Sequence, residues 1–300
     1  MANLTTTQAA CHIPELWSPD TRDAVEATVV AAGLVESSEH VGILKGGPGD
    51  TVNIPYISNP TANTKSADTN ITLEAIGPSS AEASQTFTVS THQHVAFGVE
   101  NITEVQSKTD LRAKYTDKAG YALAAAADTN LHTLPQSFSQ IVGTLGVEPT
   151  FDNWQRASQY LDDANAPEDM RFVIARPATY YAMRKIEQFV NADYTGGGAG
   201  GTMKVGREKV GTLWGNVPVF KSTLVRAPSG GQAENWYCHR KGVYYCSQDL
   251  KTRADFVINM DTDVVLSTHI YGFAEALQPP ITAGGGAATD AFNVLVRGVS

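Results

Sequence analysis

Hydrophobic and polar positions along this chain alternate in two distinct periods. From Asp50 to Ser58, Val52, Ile54 and Tyr56 recur at every second residue, which predicts a strand with those side chains on one face. A second alternating run, Gln85–Phe97, predicts its return partner. Residues 59–84 between them are rich in Pro, Asn, Ser and Thr, with only Ile71, Leu73 and Ile76 clustered. The expectation is a long β-hairpin arm that cannot bury itself and finds its partner on another molecule. Helical spacing takes over at Thr109–Leu134, where Leu111, Tyr115, Ala119, Ala122, Leu123 and Ala126 form one stripe and Pro135 closes the element. At 1.5 Å per residue this helix spans roughly 35–40 Å.

Upstream of the hairpin, a polar arm over residues 1–17 ends in Ile13-Pro14-Glu15-Leu16-Trp17. Ser18, Pro19 and Asp20 then supply an N-cap, an N1 proline and a first-turn acid. The helix they start carries Val25, Val29 and Ala32 and stops near Gly33. Downstream of the long helix, Gly143–Gly146 leads into an α/β pattern: helix Phe151–Asp163, strand Met170–Ala175, a helix from Pro177 to about Asn191, and a strand over Val210–Phe220. The remainder predicts strands: a hairpin over Asn235–Gln248 turning at Lys241-Gly242, then Ala254–Asn259, Asp263–Tyr271 and Ala291–Val296. The fold class is therefore α+β.

Composition adds three constraints. Charged residues make up only 18% of the 300, with 26 Gly, which implies much surface set against other subunits. The net charge of −9 argues against general nucleic-acid affinity. Residues 1–100 hold three Lys/Arg against eleven Asp/Glu, so the acidity sits in the first third and can meet a basic surface elsewhere. The cysteines, Cys11, Cys238 and Cys246, form neither a disulfide framework nor a zinc spacing, which points to a reducing cytoplasm. The N-terminus does not read as a signal peptide, and no apolar run reaches the ~20 residues of a membrane span.

Candidate chemistry is thin. Gly196-x-Gly198-x-x-Gly201 spells a dinucleotide loop, but a helix precedes it and a strand follows, the reverse of the order that aims a helix N-terminus at a pyrophosphate. A nucleotide-binding enzyme using that loop is the reading from a different functional class. His92 and His94 share a strand face without a third ligand, Asp261 and Asp263 suit a turn, and Cys238 and Cys246 lie near each other across the expected 235–248 hairpin as small buried hydrophobes. The expectation is no catalytic residue, no cofactor and no metal.

The order of elements, with Ile13–Pro19 before the first helix, Gly49-Asp-Thr-Val-Asn-Ile-Pro55 at the hairpin, Val210-Gly-Thr-Leu-Trp-Gly-Asn-Val-Pro-Val-Phe-Lys-Ser222 and His269-Ile-Tyr-Gly-Phe273, resembles the major capsid proteins of tailed bacteriophages, the Hong Kong 97-like fold. The resemblance implies an N-terminal arm and helix over 1–40 and an extended hairpin, the E-loop, over 41–100. It also implies a peripheral domain from 101–140 and 251–300 built on a long spine helix, and an axial α/β domain over 141–250. The implied function is self-assembly into hexamers and pentamers of an icosahedral head enclosing double-stranded DNA, held without sequence-specific binding. An encapsulin-like nanocompartment is the alternative within the same architecture. Implied partners are copies of the chain, a portal, and separate scaffolding or decoration proteins, with no membrane. The implied location is the virion, with assembly in the host cytoplasm.

Ile13, Leu16 and Trp17 would anchor the arm at an interface, and acids including Asp68 and Glu74 would dock on Arg112, Lys114 and Lys118 of a neighbour. Gly196, Gly197, Gly198, Gly200 and Gly201 would form a flexible axial loop that follows different paths in pentamers and hexamers. Some relatives cross-link an E-loop lysine to a neighbour's asparagine. Lys65 is the sole lysine of the hairpin arm, and Asn259 and Asn293 lie in the peripheral region.

Overall fold

Strands that are buried on both faces carry little alternation, and three such strands build the centre of this molecule. The computed structural model describes residues 26–35, 41–45, 49–56, 62–71, 73, 83–100, 111–190, 212–214, 216–248, 251–258, 261–278 and 292–300. Its six-stranded mixed sheet runs in the order β4 (Gln140–Val142), β12 (Asn293–Gly298), β8 (Ala233–His239), β5 (Arg171–Ala175), β7 (Val217–Lys221), β6 (Thr212–Leu213). Period-two geometry splits each strand between two cores. Val173, Ala175, Val219, Tyr237, Val294 and Val296 face the helix α3 (Phe151–Asp163) through Trp154, Ala157 and Leu161. Phe172, Ile174, Trp236, Cys238 and Leu295 face the opposite way, against Ala127 and Leu131 of the helix α2 (Leu111–Leu131).

Helix α3 forms where the sequence places it: Thr150 accepts the amide of Asn153 as N-cap, Asp152 sits in the first turn, and the three buried residues recur at helical spacing. The helix expected from Pro177 to Asn191 is two pieces, α4 (Pro177–Met183) and α5 (Glu187–Val190), with a break at Arg184–Ile186. The long-helix stripe also differs. Ala119, Leu123, Ala127 and Leu131 are buried at i, i+4 spacing, whereas Tyr115 is exposed and Ala122 faces solvent. An Ala-rich helix offers several equivalent stripes, and its tertiary neighbours choose one.

A second sheet is organised by β11 (Thr262–Glu275), long enough to serve three partners. One edge pairs with β3 (Thr91–Glu100) over its whole length. The other pairs first with β10 (Lys251–Val257) and then with β9 (Val243–Ser247). Helix α2 covers the face carrying Phe97 and Asp263: Tyr115 meets Phe97 at 5.8 Å and Arg112 pairs with Asp263 at 3.3 Å. Strand β10 is the edge, and among the described residues its outer side is unpaired.

Two sequence expectations are corrected by this topology. The run Gln85–Phe97 is two strands: β2 (Ala83–Thr88) pairs with β1 (Thr51–Tyr56), and after Val89-Ser90 the chain enters β3 in another sheet. Residues 235–248 are not a hairpin. Strand β8 lies between β12 and β5, β9 lies against β11, and the 3-10 turn Arg240–Gly242 joins them. Cys238 and Cys246 consequently occupy different cores, both buried as expected. The last strand, Asn293–Gly298, pairs with β8 and β4 inside the six-stranded sheet. Asn293 is fully buried and donates to the Gly242 carbonyl at 2.7 Å, which leaves it no role as a surface cross-linking site.

Candidate functional site: interaction surfaces

The hairpin β1–β2 is anchored at its base. Ile54, Phe87 and Val89 pack with Val41, Leu44, Tyr244, Cys246 and Ala276 of the same chain, so the arm does have a core of its own at this end. Beyond the base the character changes. Ile71 and Leu73 are 72% and 89% exposed, and Asp68 sits in a turn with φ +61, where Thr69 donates both its amide and its hydroxyl to the Ser66 carbonyl. Two large apolar side chains thus stand in water in the segment between β1 and β2.

The expected basic acceptor is only partly available. Arg112 is taken by Asp263, and Lys118 reaches Glu26 at 2.6 Å. Both pairs are about two-fifths exposed or less, within one chain, and each satisfies a cation that the sequence left open for a neighbour. Among the described residues Lys114 makes no ion pair. Ile13, Leu16, Trp17, Glu74 and Gly196, Gly197, Gly198, Gly200 and Gly201 lie outside the described residues.

Sequence reasoning passed over Tyr121 and Asp128. Lys118, Tyr121 and Asp128 recur at i, i+3 and i+10, one stripe of α2, and hold residues 26–32 along it. Glu26 meets Lys118, the Ala27 amide donates to the Tyr121 hydroxyl at 2.7 Å, and the amides of Val30 and Ala32 donate to the two Asp128 oxygens at 3.3 and 3.1 Å. Val30 stands at the N-cap of α1 (Ala31–Leu34) without a side chain able to cap it, and Asp128 supplies that acceptor from another helix. The signal in the sequence was an aspartate within the Ala-rich run of α2, where a solvent-facing or capping role had to be chosen.

Among the described residues no side-chain cluster has the geometry of catalysis. A groove of about 600 Å³ beside α3 is lined by Asp152, Gln155, Arg156, Ser158, Gln159, Asp162 and Trp214. In it the Ser158 hydroxyl meets only the Tyr237 hydroxyl, at 3.3 Å, and burial raises the pKa of that phenol, so no base activates the serine. His92 and His94 are exposed on one face of β3, and among the described residues no His, Cys, Asp and Glu group could hold a metal. Asp263 serves Arg112 rather than a cation, and Asp261 adopts φ +47 at the turn into β11.

Two buried histidines set a pH response. Burial lowers the pKa of His239 and of His269. A histidine whose folded pKa is depressed leaves the unfolded chain binding more protons at acid pH. Its contribution to stability is whole above the unfolded value, about 6.5, and is lost as pH falls below it. The melting temperature of the unassembled subunit should therefore drop between pH 7.5 and pH 5.5, and His269→Gln should flatten that drop; an unchanged slope in the variant would refute the assignment.

No protein-family model matches this chain, and no curated protein matches it. Solved structures do. A structure from Mycobacterium phage Che8 aligns over 95% of this chain and 96% of its own at 22% identity and a TM-score of 0.75. The capsid structure of cyanophage P-SCSP1u aligns over 99% and 96% at 14% identity and a TM-score of 0.72. The mature capsid of bacteriophage PhiM1 aligns over 95% and 91% at 12% identity and a TM-score of 0.70. The chain thus has the mixed α+β fold seen in phage capsid structures.

Proposed function

We propose that this chain is a major capsid protein, assembling into hexamers and pentamers of an icosahedral phage head around double-stranded DNA. The observation that carries the proposal is the alignment with capsid structures from the cyanophage and PhiM1, which spans 99% and 95% of this chain and 96% and 91% of theirs. The hairpin supports it independently: a base packed on its own subunit and a distal end exposing Ile71 and Leu73 suit an E-loop reaching onto a neighbour. In this reading α2 is the spine of a peripheral domain with β3, β10 and β11, and the six-stranded sheet, including Asn293–Gly298, is the axial domain.

The chemistry assigned is association, not turnover. A shell is stabilised by many repeated modest contacts, so each interface can be weak while the whole is durable. The net charge of −9 suits a wall along which DNA lies without sequence-specific attachment, in the virion and, during assembly, in the host cytoplasm. A portal and separate scaffolding or decoration proteins complete the expected partners.

Expression of the full chain followed by negative-stain microscopy tests the reading: closed, uniform particles are expected, and a purely monomeric protein would sink it. Nucleic acid inside native particles would separate a phage head from a compartment enclosing protein cargo. The double variant Ile71→Asp, Leu73→Asp should abolish particles while moving the subunit's melting temperature by no more than about 2 °C, since both side chains are already in water.

A further inference from the structure

Strand β10 presents an open edge. Thr252, Arg253, Ala254, Asp255 and Phe256 are all exposed, and among the described residues the strand pairs only with β11. The side chains of Thr252 and Ser267, directly opposite in that pairing, meet at 3.1 Å. The amide of Phe256 donates at 2.9 Å to its own Asp255 carboxylate. That amide points away from β11, and by the alternation of a strand so do those of Ala254 and Thr252. A row of outward backbone groups is a template for another strand, and this edge carries no proline and no bulge to block one.

The residues on the edge read the same way from either end. In an antiparallel pairing of two copies of β10 about Ala254, Ala254 faces its own counterpart, Thr252 faces Phe256, and Arg253 faces Asp255, twice. The outward amides make Ala254 and the Thr252–Phe256 positions the hydrogen-bonded pairs. Arg253 and Asp255 then fall in the non-hydrogen-bonded positions, where opposite side chains approach most closely. Among the described residues Arg253 has no carboxylate partner in its own chain. The small Ala254 leaves the centre free of a clash, and the partly exposed ring of Phe256 gains a neighbour.

We propose that β10 pairs edge to edge with β10 of a second copy of this chain across a twofold axis at Ala254, joining two sheets into one continuous sheet with two Arg253–Asp255 ion pairs. In the unassembled subunit Asp255 holds the outward Phe256 amide and so blunts the edge. On pairing, the carboxylate turns to Arg253 of the second copy and the amide bonds to that copy's backbone. The proposal deepens the shell reading and rests on it for its setting, because a closed shell supplies twofold contacts between subunits.

The test uses the full chain with Cys11→Ser, so that added thiols stand alone against the buried Cys238 and Cys246. Ala254→Cys should give a covalent dimer at twice the 32.0 kDa chain mass when particles are treated with diamide, because facing residues at a hydrogen-bonded position have Cα atoms about 5.5 Å apart. Thr252→Cys, which faces Phe256, should give none. Arg253→Asp and Asp255→Arg should each reduce particle yield at least about tenfold by setting like charges opposite, and the double swap should restore it. Dimers from Ala254→Cys without particles would uphold the pairing and refute the shell. Particles without such dimers, or a folded double swap as defective as either single change, would overturn the pairing and leave the shell reading standing.

Discussion

Asp128→Ala should destabilise the unassembled subunit by about 3–5 kcal/mol. The carboxylate is fully buried, it is the acceptor for the amides of Val30 and Ala32, and His132 Nε2 stands 3.5 Å from it. Truncation leaves two donors with no acceptor inside the protein. Hydrogen bonds to a charged group contribute about 1.5–3 kcal/mol each, and stranding a buried polar partner costs more than the bond itself. Chemical denaturation of the wild type and variant measures the loss. Amide exchange at Val30 and Ala32 should accelerate while the central strands β5 and β8 keep their protection relative to global unfolding. Asp128→Asn, which keeps the shape and one acceptor oxygen, should lose roughly half as much. A loss below about 1 kcal/mol for the alanine variant would mean that α1 is held by Ala31 and Val35 packing alone, and the remote-cap account would be wrong.

The second large effect is expected at Gly272. A Cβ there would overlap the Thr88 carbonyl oxygen and lie 2.8 Å from Val89 Cα, both backbone atoms of the segment that leaves β2 for β3. Main chain cannot rotate aside as a side chain does, so Gly272→Ala forces the hairpin base away from β11. Overpacking of this kind costs about 3 kcal/mol, or roughly 5 °C in melting temperature for a chain of this size. The displaced segment carries Phe87 and Val89, so the core they share with Tyr244 and Cys246 should loosen with it. Proteolysis within residues 83–90 reports that loosening directly. Gly33→Ala, where an added Cβ meets nothing within 4 Å, is the matched control and should be nearly neutral.

These two positions were differently visible in the sequence. Gly272 lies in a stretch, His269–Phe273, whose likeness to phage capsid proteins was legible, but its physical reason, another backbone crossing at van der Waals distance, needs the residues around 88 in space. Asp128 carries no local signal of its role in the sequence. Its partners lie 96 and 98 positions away. The same holds for Arg112, which read as a docking cation and proved to be committed to Asp263, 151 positions on. An exposed charge in a sequence has no visible partner, so any account of free basic residues begins with too many.

What the sequence determined by itself was local. Thr150, Asp152 and the spacing of Trp154, Ala157 and Leu161 were enough for α3, and the alternation of Val52 and Ile54 was enough for β1, because caps and side-chain period act within a few residues. The acidic first third and the self-complementary Arg253-Ala254-Asp255 were also written there, the latter without meaning until β10 proved to be an edge. Tertiary structure decided which strands meet. Strands β8 and β9 look like a hairpin around Lys241-Gly242, yet both are buried nearly throughout, and a strand buried on both faces has no polar side to reveal its register or its neighbour. Their separation into two sheets is set by Asn293 arriving from the far end of the chain against Gly242, and by β11 being long enough to take β9 after β10. Pairing is a competition between distant segments for the same backbone groups, and only the folded chain shows which segment wins.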